Sequence, residues 1–202
     1  FHVLASAPLP GAPLASPVNP VLLGSATLSG GGGSAVNSIA PAGNLVYVAT
    51  SHDNGEVQVI NVSNPQSPTV FCNPAQPTVA CKEDLSGIID GVAVAVAGKR
   101  LYVGRGAAPN SLTILDITNP LDPVPIVGGT GGTVSLGGAV RDITVSGPYA
   151  YLATADSARE FVRVNVVNAA SPVIDSVADL DGGAFGLTLA GTPWSETRTA
   201  IR

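Results

Sequence analysis

The sequence is poor in the residues that mark several large classes of protein. Of its 202 residues only 11% are charged and 4% are aromatic, and methionine is absent. The nine Lys and Arg residues are scattered, so the basic patch of a nucleic-acid-binding protein is missing. No apolar run approaches the roughly 18 residues of a membrane-spanning helix. We therefore expect neither a nucleic-acid partner nor a membrane span.

Glycine, proline and short apolar runs are abundant instead. Hydrophobic residues make up 45% of the chain, and 24 Gly and 17 Pro interrupt them throughout. No segment of about 12 residues combines helical spacing with end caps. Many short strands separated by Gly- and Pro-rich turns are typical of an all-β protein. The sequence therefore predicts an all-β fold with a buried core.

Two features point to an oxidising compartment. Cys72 and Cys81 lie in one short Pro-rich segment, where a disulfide would close a small loop; two buried thiols are the alternative. Residues 1–7 resemble the end of a secretory signal peptide with an Ala-x-Ala cleavage site, although Pro8 directly after this site disfavours cleavage there. We predict a disulfide between Cys72 and Cys81 and a secreted or cell-surface location, extracellular or periplasmic.

An internal repeat is the strongest pattern in the chain. Tyr47, Tyr102 and Tyr151 are separated by 55 and 49 residues. Four further sets of residues shift by the same two intervals, namely Gly43, Gly98 and Gly147; Asn61, Asp116 and Asn165; Asn64, Asn119 and Asn168; and Pro68, Pro123 and Pro172. Repeats of this length are typical of propellers and solenoids.

Each copy divides into four predicted strands, which we call a to d. Strand a ends at the recurring glycine, strand b carries the tyrosine, strand c precedes the Asn-Pro turn, and strand d follows it. Strand c of the first copy has apolar residues on both faces, at Val57, Val59, Ile60 and Val62. A strand with one solvated face would alternate instead. Burial of both faces predicts a β-propeller fragment with four-stranded antiparallel blades.

The repeat sets the predicted domain boundaries. Copies lie at residues 34–86, 87–136 and 137–183, within a propeller region of residues 19–191. A fourth copy begins with a strand a at residues 184–191, and an isolated strand d lies at residues 19–28. The flanks are a Pro- and Ala-rich segment (residues 1–18) and a tail (residues 192–202). Since closed propellers have about four to eight blades, we expect three complete and two partial blades of an arc that continues beyond Arg202.

The segments that join strands c and d resemble the LVIVP repeat. Residues 56–68 and 112–123 match the strand of that family that ends in Asp-Val-Ser-Asn-Pro, and the tyrosine segments match its Tyr-Val-Ala strand. The likeness covers residues 34–191, and the third copy departs where Ala169 follows Asn168 in place of proline. The resemblance implies a propeller module of bacterial or archaeal surface and secreted proteins. It implies no settled activity, so no catalytic residue is carried over.

No catalytic or metal-binding pattern stands out. The carboxylate pairs Glu83 with Asp84 and Asp179 with Asp181 have no convergent partners in sequence, and solvated turns explain them. Residues 53–55 fit a hairpin turn; calcium binding is the alternative there, but the ligands are too few for an EF-hand-like loop. Glycine-rich residues 30–33, 128–132 and 181–183 are expected to connect strand d to the next strand a.

Arg141 and Asp142 are the candidate binding residues. They enter the innermost strand of a blade, whose end faces the central channel, although surface ion pairing is the alternative. His52 is expected in a surface loop, because no Gly-x-Ser-x-Gly nucleophile accompanies it. We predict a non-catalytic binding or scaffold module without a cofactor, whose partner is a protein or a glycan at the cell surface. A propeller-based hydrolase or lyase that needs further blades is the alternative.

Overall fold

A computed structural model describes residues 2–5, 21–29, 35–53, 55–71, 83–85, 89–107, 109 and 111–189. Every regular element among these residues is a β-strand, and none of them belongs to a helix able to cross a membrane. The strands are β1 (His2–Ala5), β2 (Val21–Ser25), β3 (Val36–Ala42), β4 (Leu45–Thr50), β5 (Val57–Asn61), β6 (Thr69–Val70), β7 (Gly91–Ala97), β8 (Arg100–Arg105), β9 (Leu112–Asp116), β10 (Val124–Pro125), β11 (Thr133–Val134), β12 (Val140–Ser146), β13 (Tyr149–Thr154), β14 (Phe161–Asn165) and β15 (Val173–Ala178).

Strands that are neighbours in sequence pair antiparallel to form three sheets. The sheets are β3 to β6, β7 to β10 with β11 also paired to β9, and β12 to β15. We number them blades 1, 2 and 3. Their a–b turns contain Gly43, Gly98 and Gly147, with φ of 60°, 60° and 55°. A Cβ at these glycines would meet nothing within 4 Å, so the left-handed backbone alone explains why glycine recurs there.

The middle strands of each sheet are buried on both faces, as the sequence predicts. In blade 1, Val57 and Val59 pack against blade 2, while Ile60 packs on the opposite face against Ala26 and Leu28. A second core joins blades 2 and 3 through Ile114 and Leu152, among others. Sheets that stack face to face in this way are the blades of a propeller. The predicted all-β propeller fragment is confirmed.

The N-terminal hairpin repeats the register of a blade's outer pair of strands. β2 pairs with β1 but skips Leu23 after the first two paired positions. β15 pairs with β14 and skips Asp175 at the same point. β1 and β2 therefore occupy positions c and d of a further blade. The sequence predicted this strand d, but it did not predict β1, which lies in the Pro- and Ala-rich segment.

Strand d is interrupted in blades 1 and 2. In blade 2 both β10 and β11 pair with β9, and residues 126–131 loop out between them. In blade 1 the interruption lies between Phe71, whose N–H binds Val59, and Glu83, which bridges Val57. The prediction that residues 128–132 connect strand d to strand a is therefore wrong, because they lie within strand d. Cys72, Cys81 and residues 30–33 lie outside the described residues, and the disulfide stays a prediction.

Residues 184–189 form no strand, yet they lie where the next strand a would begin. The backbone N–H of Leu187 donates to Oδ2 of Asp142 at 2.6 Å. At the junction of blades 1 and 2 the N–H of Val94 donates to Oγ of Ser38 at 3.2 Å. Both pairs occupy the same repeat positions. At these two junctions a side chain on the inner strand of one blade thus holds the backbone that begins the next, whereas at the junction of blades 2 and 3 the equivalent residue is Ala93.

Candidate functional site

One side chain in each blade fixes the end of the outer strand. This residue directly precedes strand c, and its buried side chain accepts a hydrogen bond from a leucine N–H that follows strand d. The pairs are Glu56 with Leu85 at 2.8 Å, Ser111 with Leu136 at 3.3 Å and Glu160 with Leu180 at 3.1 Å. Sequence reasoning missed these acceptors, although they are separated by the same 55 and 49 residues as the tyrosines.

The recurring polar residues of the c–d turn are also structural. Asn61, Asp116 and Asn165 each accept a hydrogen bond from the N–H two residues ahead, at 2.9, 2.6 and 3.0 Å. Such side-chain turns substitute for backbone turns. Hydrogen bonds from Thr118 hold the pKa of Asp116 below its usual value. These side chains therefore stabilise the c–d turns of the three blades.

Arg141 and Asp142 have different roles in the structure. Arg141 lies at a β-bulge, a feature that redirects a side chain, and its guanidinium carbon is 4.4 Å from the centre of the Phe185 ring. Asp142 accepts hydrogen bonds from the N–H groups of Ile143 and Leu187. The two side chains form no ion pair with each other. Asp142 therefore serves the blade junction, and Arg141 lines a pocket.

That pocket, which we call the loop pocket, lies beside the b–c loop and the d–a connection of blade 3. Its volume is about 480 Å³, and its charged lining residues are Arg141, Asp156, Glu160, Asp179 and Asp181. Hydrogen bonding from Ala158 and the ion pair with Arg159 at 2.9 Å hold the pKa of Asp156 below its usual value. Asp179 and Asp181 are exposed, in agreement with the solvated turns predicted for them.

A second cavity lies between blades 1 and 2, and we call it the junction cavity. It measures about 370 Å³ and has Arg105, Thr113 and Leu115 at its buried base and the exposed Asp84 and Thr130 at its mouth. Arg105 occupies the repeat position that holds Thr50 in blade 1 and Thr154 in blade 3, since the residues are separated by 55 and 49. Its Nη2 donates to the Ile89 carbonyl at 3.0 Å, and burial lowers its pKa.

Two carboxyl groups, one buried and one half-buried, lie beside residues that line this cavity. Glu56 is 0% exposed, burial raises its pKa, and its Oε1 has no hydrogen-bond partner among the described residues. Burial, together with the nearby carboxylates of Asp122, Asp84 and Glu56, raises the pKa of Glu83 to about 7. The expected solvated turn is therefore wrong for Glu83, which bridges Val57 in the outer strand, whereas Asp84 is exposed.

The remaining sequence candidates stay apart from both pockets. His52 lies half-buried in the b–c loop of blade 1, with its carbonyl accepting from the Gly55 N–H at 3.0 Å. Asp53 is exposed, and residue 54 lies outside the described part, so calcium binding at this turn stays an untested alternative. Across the described ranges, no three His, Cys, Asp or Glu side chains group so as to hold a metal ion.

Comparison with known proteins agrees with the repeat architecture. The chain matches the LVIVD repeat over residues 32–79, 90–126 and 137–179. A solved structure, the computationally designed Ika4 protein, is similar with a TM-score of 0.52 and 14% identity, over 82% of this chain and 86% of that one; this likeness concerns the fold alone. No curated protein matches. Because the matched segments span more than half of the chain, it belongs to the LVIVD repeat family.

Proposed function

We propose that this chain is a non-catalytic binding module of a secreted or cell-surface protein, and that it docks a partner protein at the loop pocket of blade 3. The observation that carries this proposal is the exposure of Arg141, Asp179 and Asp181 around one pocket. The recurring polar residues Asn61, Asp116 and Asn165 are instead engaged in hydrogen bonds of the c–d turns. Exposed charged side chains on loops above a rigid scaffold are where binding usually occurs.

The charge of the loop pocket favours a basic partner segment. Four carboxylates line it against the guanidinium of Arg141, and three of them remain when the ion pair of Asp156 with Arg159 is set aside; the chain as a whole carries a net charge of −5. Such an excess of one sign attracts ligands of the opposite sign and discriminates against others. A Lys- or Arg-bearing protein segment therefore fits better than a neutral glycan at this site.

The chemistry of the carboxylates supports binding more than catalysis. General acid catalysis requires a carboxyl group whose pKa is raised toward the working pH. The pKa of Asp156 is lowered instead, and Oε2 of Glu160 is engaged by the Leu180 N–H. These two carboxyl groups of the loop pocket are therefore better suited to binding a cation than to donating a proton.

Affinity measurements with a matched charge variant test the proposal. The labelled chain is titrated with a basic peptide, an acidic peptide and a neutral oligosaccharide by fluorescence anisotropy. We expect binding of the basic peptide, weakened by salt and by Asp179→Asn but not by Asp53→Asn, which makes the same charge change at an exposed loop of blade 1. Equal effects of the two variants, or a preference for the oligosaccharide, would contradict it.

The location is tested separately on intact cells that express the full-length protein. Protease added to these cells should remove the segment recognised by an antibody raised against this chain, while an internal marker protein stays intact. Protection of the segment until the cells are lysed would refute a surface location.

A further inference from the structure

We propose that the junction cavity between blades 1 and 2 binds a small neutral ligand rich in hydroxyl groups, of the class of monosaccharides and polyols. This site is distinct from the loop pocket of blade 3 and does not depend on the proposed function. The inference rests on two departures from the repeat, on a buried hydroxyl group without a partner, and on the mixed charge of the lining.

The first departure is Thr113, which takes the repeat position of Gln58. In blade 1 the Gln58 side chain holds the backbone of Ser29: its Oε1 accepts from the Ser29 N–H at 2.8 Å, and its Nε2 donates to the Ser29 carbonyl at 3.0 Å. The side chain at this position thus forms hydrogen bonds across a blade junction. In blade 2 the shorter Thr113 leaves part of that space to the cavity that it lines.

The buried hydroxyl of Thr113 lacks a hydrogen-bond partner among the described residues. The residue is only 7% exposed, and its Oγ1 makes no hydrogen bond within the part of the chain that the structure describes. Buried polar atoms in native proteins are almost always satisfied by protein, by ordered water or by a bound molecule. Since Thr113 lines the cavity, a ligand hydroxyl bound beside it can supply the bond.

The second departure is Arg105, which replaces the threonine of blades 1 and 3. Its side chain is 2% exposed, and its Nη2 binds the Ile89 carbonyl. A guanidinium group presents five N–H donors in a fixed plane. Burying such a group is costly unless oxygen acceptors surround it. An arginine at the base of a cavity is therefore well suited to bind oxygen atoms of a ligand.

The lining decides which class of ligand fits. Arg105 offers donors at the base, Asp84 offers a carboxylate at the mouth, and the hydroxyls of Thr113, Thr130 and Thr133 can both donate and accept. An anion would be repelled by Asp84, and a cation would be repelled by Arg105. A neutral ligand with adjacent hydroxyls can donate to the carboxylate and accept from the guanidinium, and so it uses both charges.

The size and the walls of the cavity agree with this class. Its volume of about 370 Å³ lies in the range of roughly 300–1,000 Å³ that is usual for small-molecule sites. Leu85, Leu115 and Pro125 provide apolar walls against which the C–H groups of a sugar ring can pack. The interruption of strand d supplies part of the mouth, since Thr130 belongs to the residues that loop out between β10 and β11.

Calorimetric titration of the whole chain tests the site, with glucose as the neutral probe and glucuronate and glucosamine as its charged counterparts. A wider panel of neutral monosaccharides and polyols covers differences in ring stereochemistry. We expect at least one neutral compound to bind more tightly than its acidic and amino derivatives. No heat of binding with any neutral compound, or a preference for a charged derivative, would overturn the proposal.

Two variants assign the binding to this cavity. Thr113→Val keeps the shape of the side chain and removes the unpartnered hydroxyl, so it should leave the melting temperature of the ligand-free chain unchanged or higher and weaken binding about tenfold. Asp84→Asn, at an exposed position, should weaken binding without affecting folding. Thr144→Val on β12, away from the cavity, is the matched control. Affinity that is unchanged in both cavity variants, or lowered equally in the control, would overturn the assignment.

Discussion

Gly104 and Val140 face each other where blade 2 meets blade 3, and their pairing predicts a strong energetic coupling. A Cβ on Gly104 would lie 2.4 Å from Cγ1 of Val140 and 2.7 Å from its Cβ. The equivalent pair between blades 1 and 2 is Ala49 and Gly91, where a Cβ on Gly91 would lie 3.5 Å from that of Ala49. The larger residue of the pair therefore lies on strand b (Ala49) at the junction of blades 1 and 2, but on strand a (Val140) at the junction of blades 2 and 3.

We expect Gly104→Ala to destabilise the protein, although alanine occupies this position in blades 1 and 3. Overpacking of a buried site costs about 1–3 kcal/mol, which exceeds the roughly 0.5–1 kcal/mol gained when alanine replaces glycine in a strand. Val140 is 0% exposed, and Val140→Gly alone should cost about 3 kcal/mol through lost packing and added backbone freedom.

In the Val140→Gly background the effect of Gly104→Ala should reverse. The new methyl group then no longer meets Val140, its remaining close neighbour is the Cβ of Ala93 at 3.3 Å, and its burial contributes about 0.8 kcal/mol. Gly104→Ala should therefore stabilise this background by about 1 kcal/mol. The coupling free energy of the two substitutions is expected to be about 2 kcal/mol, well above the additivity error for distant sites.

Urea unfolding of the four proteins, followed by far-ultraviolet circular dichroism, measures this cycle. The exposed Gly186→Ala, where the added Cβ meets only Oδ2 of Asp142 at 3.7 Å, serves as the control and should be nearly neutral. Similar slopes of free energy against urea concentration would show that the same unfolding reaction is compared. Equal destabilisation by Gly104→Ala in both backgrounds would refute the proposed close packing of the two blades.

Three further predictions concern single residues. Tyr47→Phe should lower the free energy of unfolding by about 1 kcal/mol, because the Tyr47 hydroxyl donates to the Pro120 carbonyl at 2.7 Å across the blade 1–2 junction. Tyr102→Phe is the control, since the Tyr102 hydroxyl has no hydrogen bond among the described residues. A larger loss of stability in the control would contradict this prediction. Glu83 stays protonated in the folded state up to about pH 7, whereas its ordinary pKa is 4.5, so the unfolded chain releases this proton first and stability should fall as pH rises between these values. Glu83→Gln should flatten this part of the stability profile, and an unchanged slope would argue against the raised pKa. Mass spectrometry of the unreduced peptide that contains Cys72 and Cys81 should show the loss of two hydrogen atoms relative to its reduced form, and detection of both as alkylated thiols in the native protein would rule out the disulfide.

The parts of the fold that the sequence predicted are those encoded within a single copy. The recurring glycine has a left-handed backbone at the a–b turn, and the side chains of Asn61 and Asp116 close the turn after strand c. Apolar residues on both faces of strand c predict that the sheets stack face to face. These signals are local, and they recur three times, so that coincidence is excluded.

The parts that escaped prediction depend on residues far apart in the chain. β1 pairs with β2 across residues 6–20, and its four residues carry no turn signal of their own. Glu56 reaches Leu85 across 29 residues, and Glu83 is surrounded by carboxyl groups from two blades. A pair of acidic residues in sequence does not reveal whether water or a neighbouring sheet surrounds it.

The junction cavity illustrates why departures from a repeat are more informative than the repeat itself. Arg105 could be recognised in the sequence as an arginine at a threonine position, yet its burial follows only when blades 1 and 2 are packed together. Blades 1 and 3 close the same loop with a threonine hydroxyl, whereas the Arg105 side chain of blade 2 reaches the Ile89 carbonyl at the cost of burying a charged group. A binding role explains why so costly a group replaces an adequate one.

Strand d is the element in which the copies differ most, and its position in the blade explains this. It is the outermost strand, so only one of its edges is paired, and an interruption there breaks few ladder hydrogen bonds. All three blades depart from regular pairing at the same register: at Asp175 in blade 3, at residues 126–131 in blade 2 and between Phe71 and Glu83 in blade 1. In each case strand d resumes its pairing with strand c, and the leucine N–H that follows is bound by the residue before strand c. The frame of this chain therefore accepts added residues at this point without losing the stacking of its inner strands.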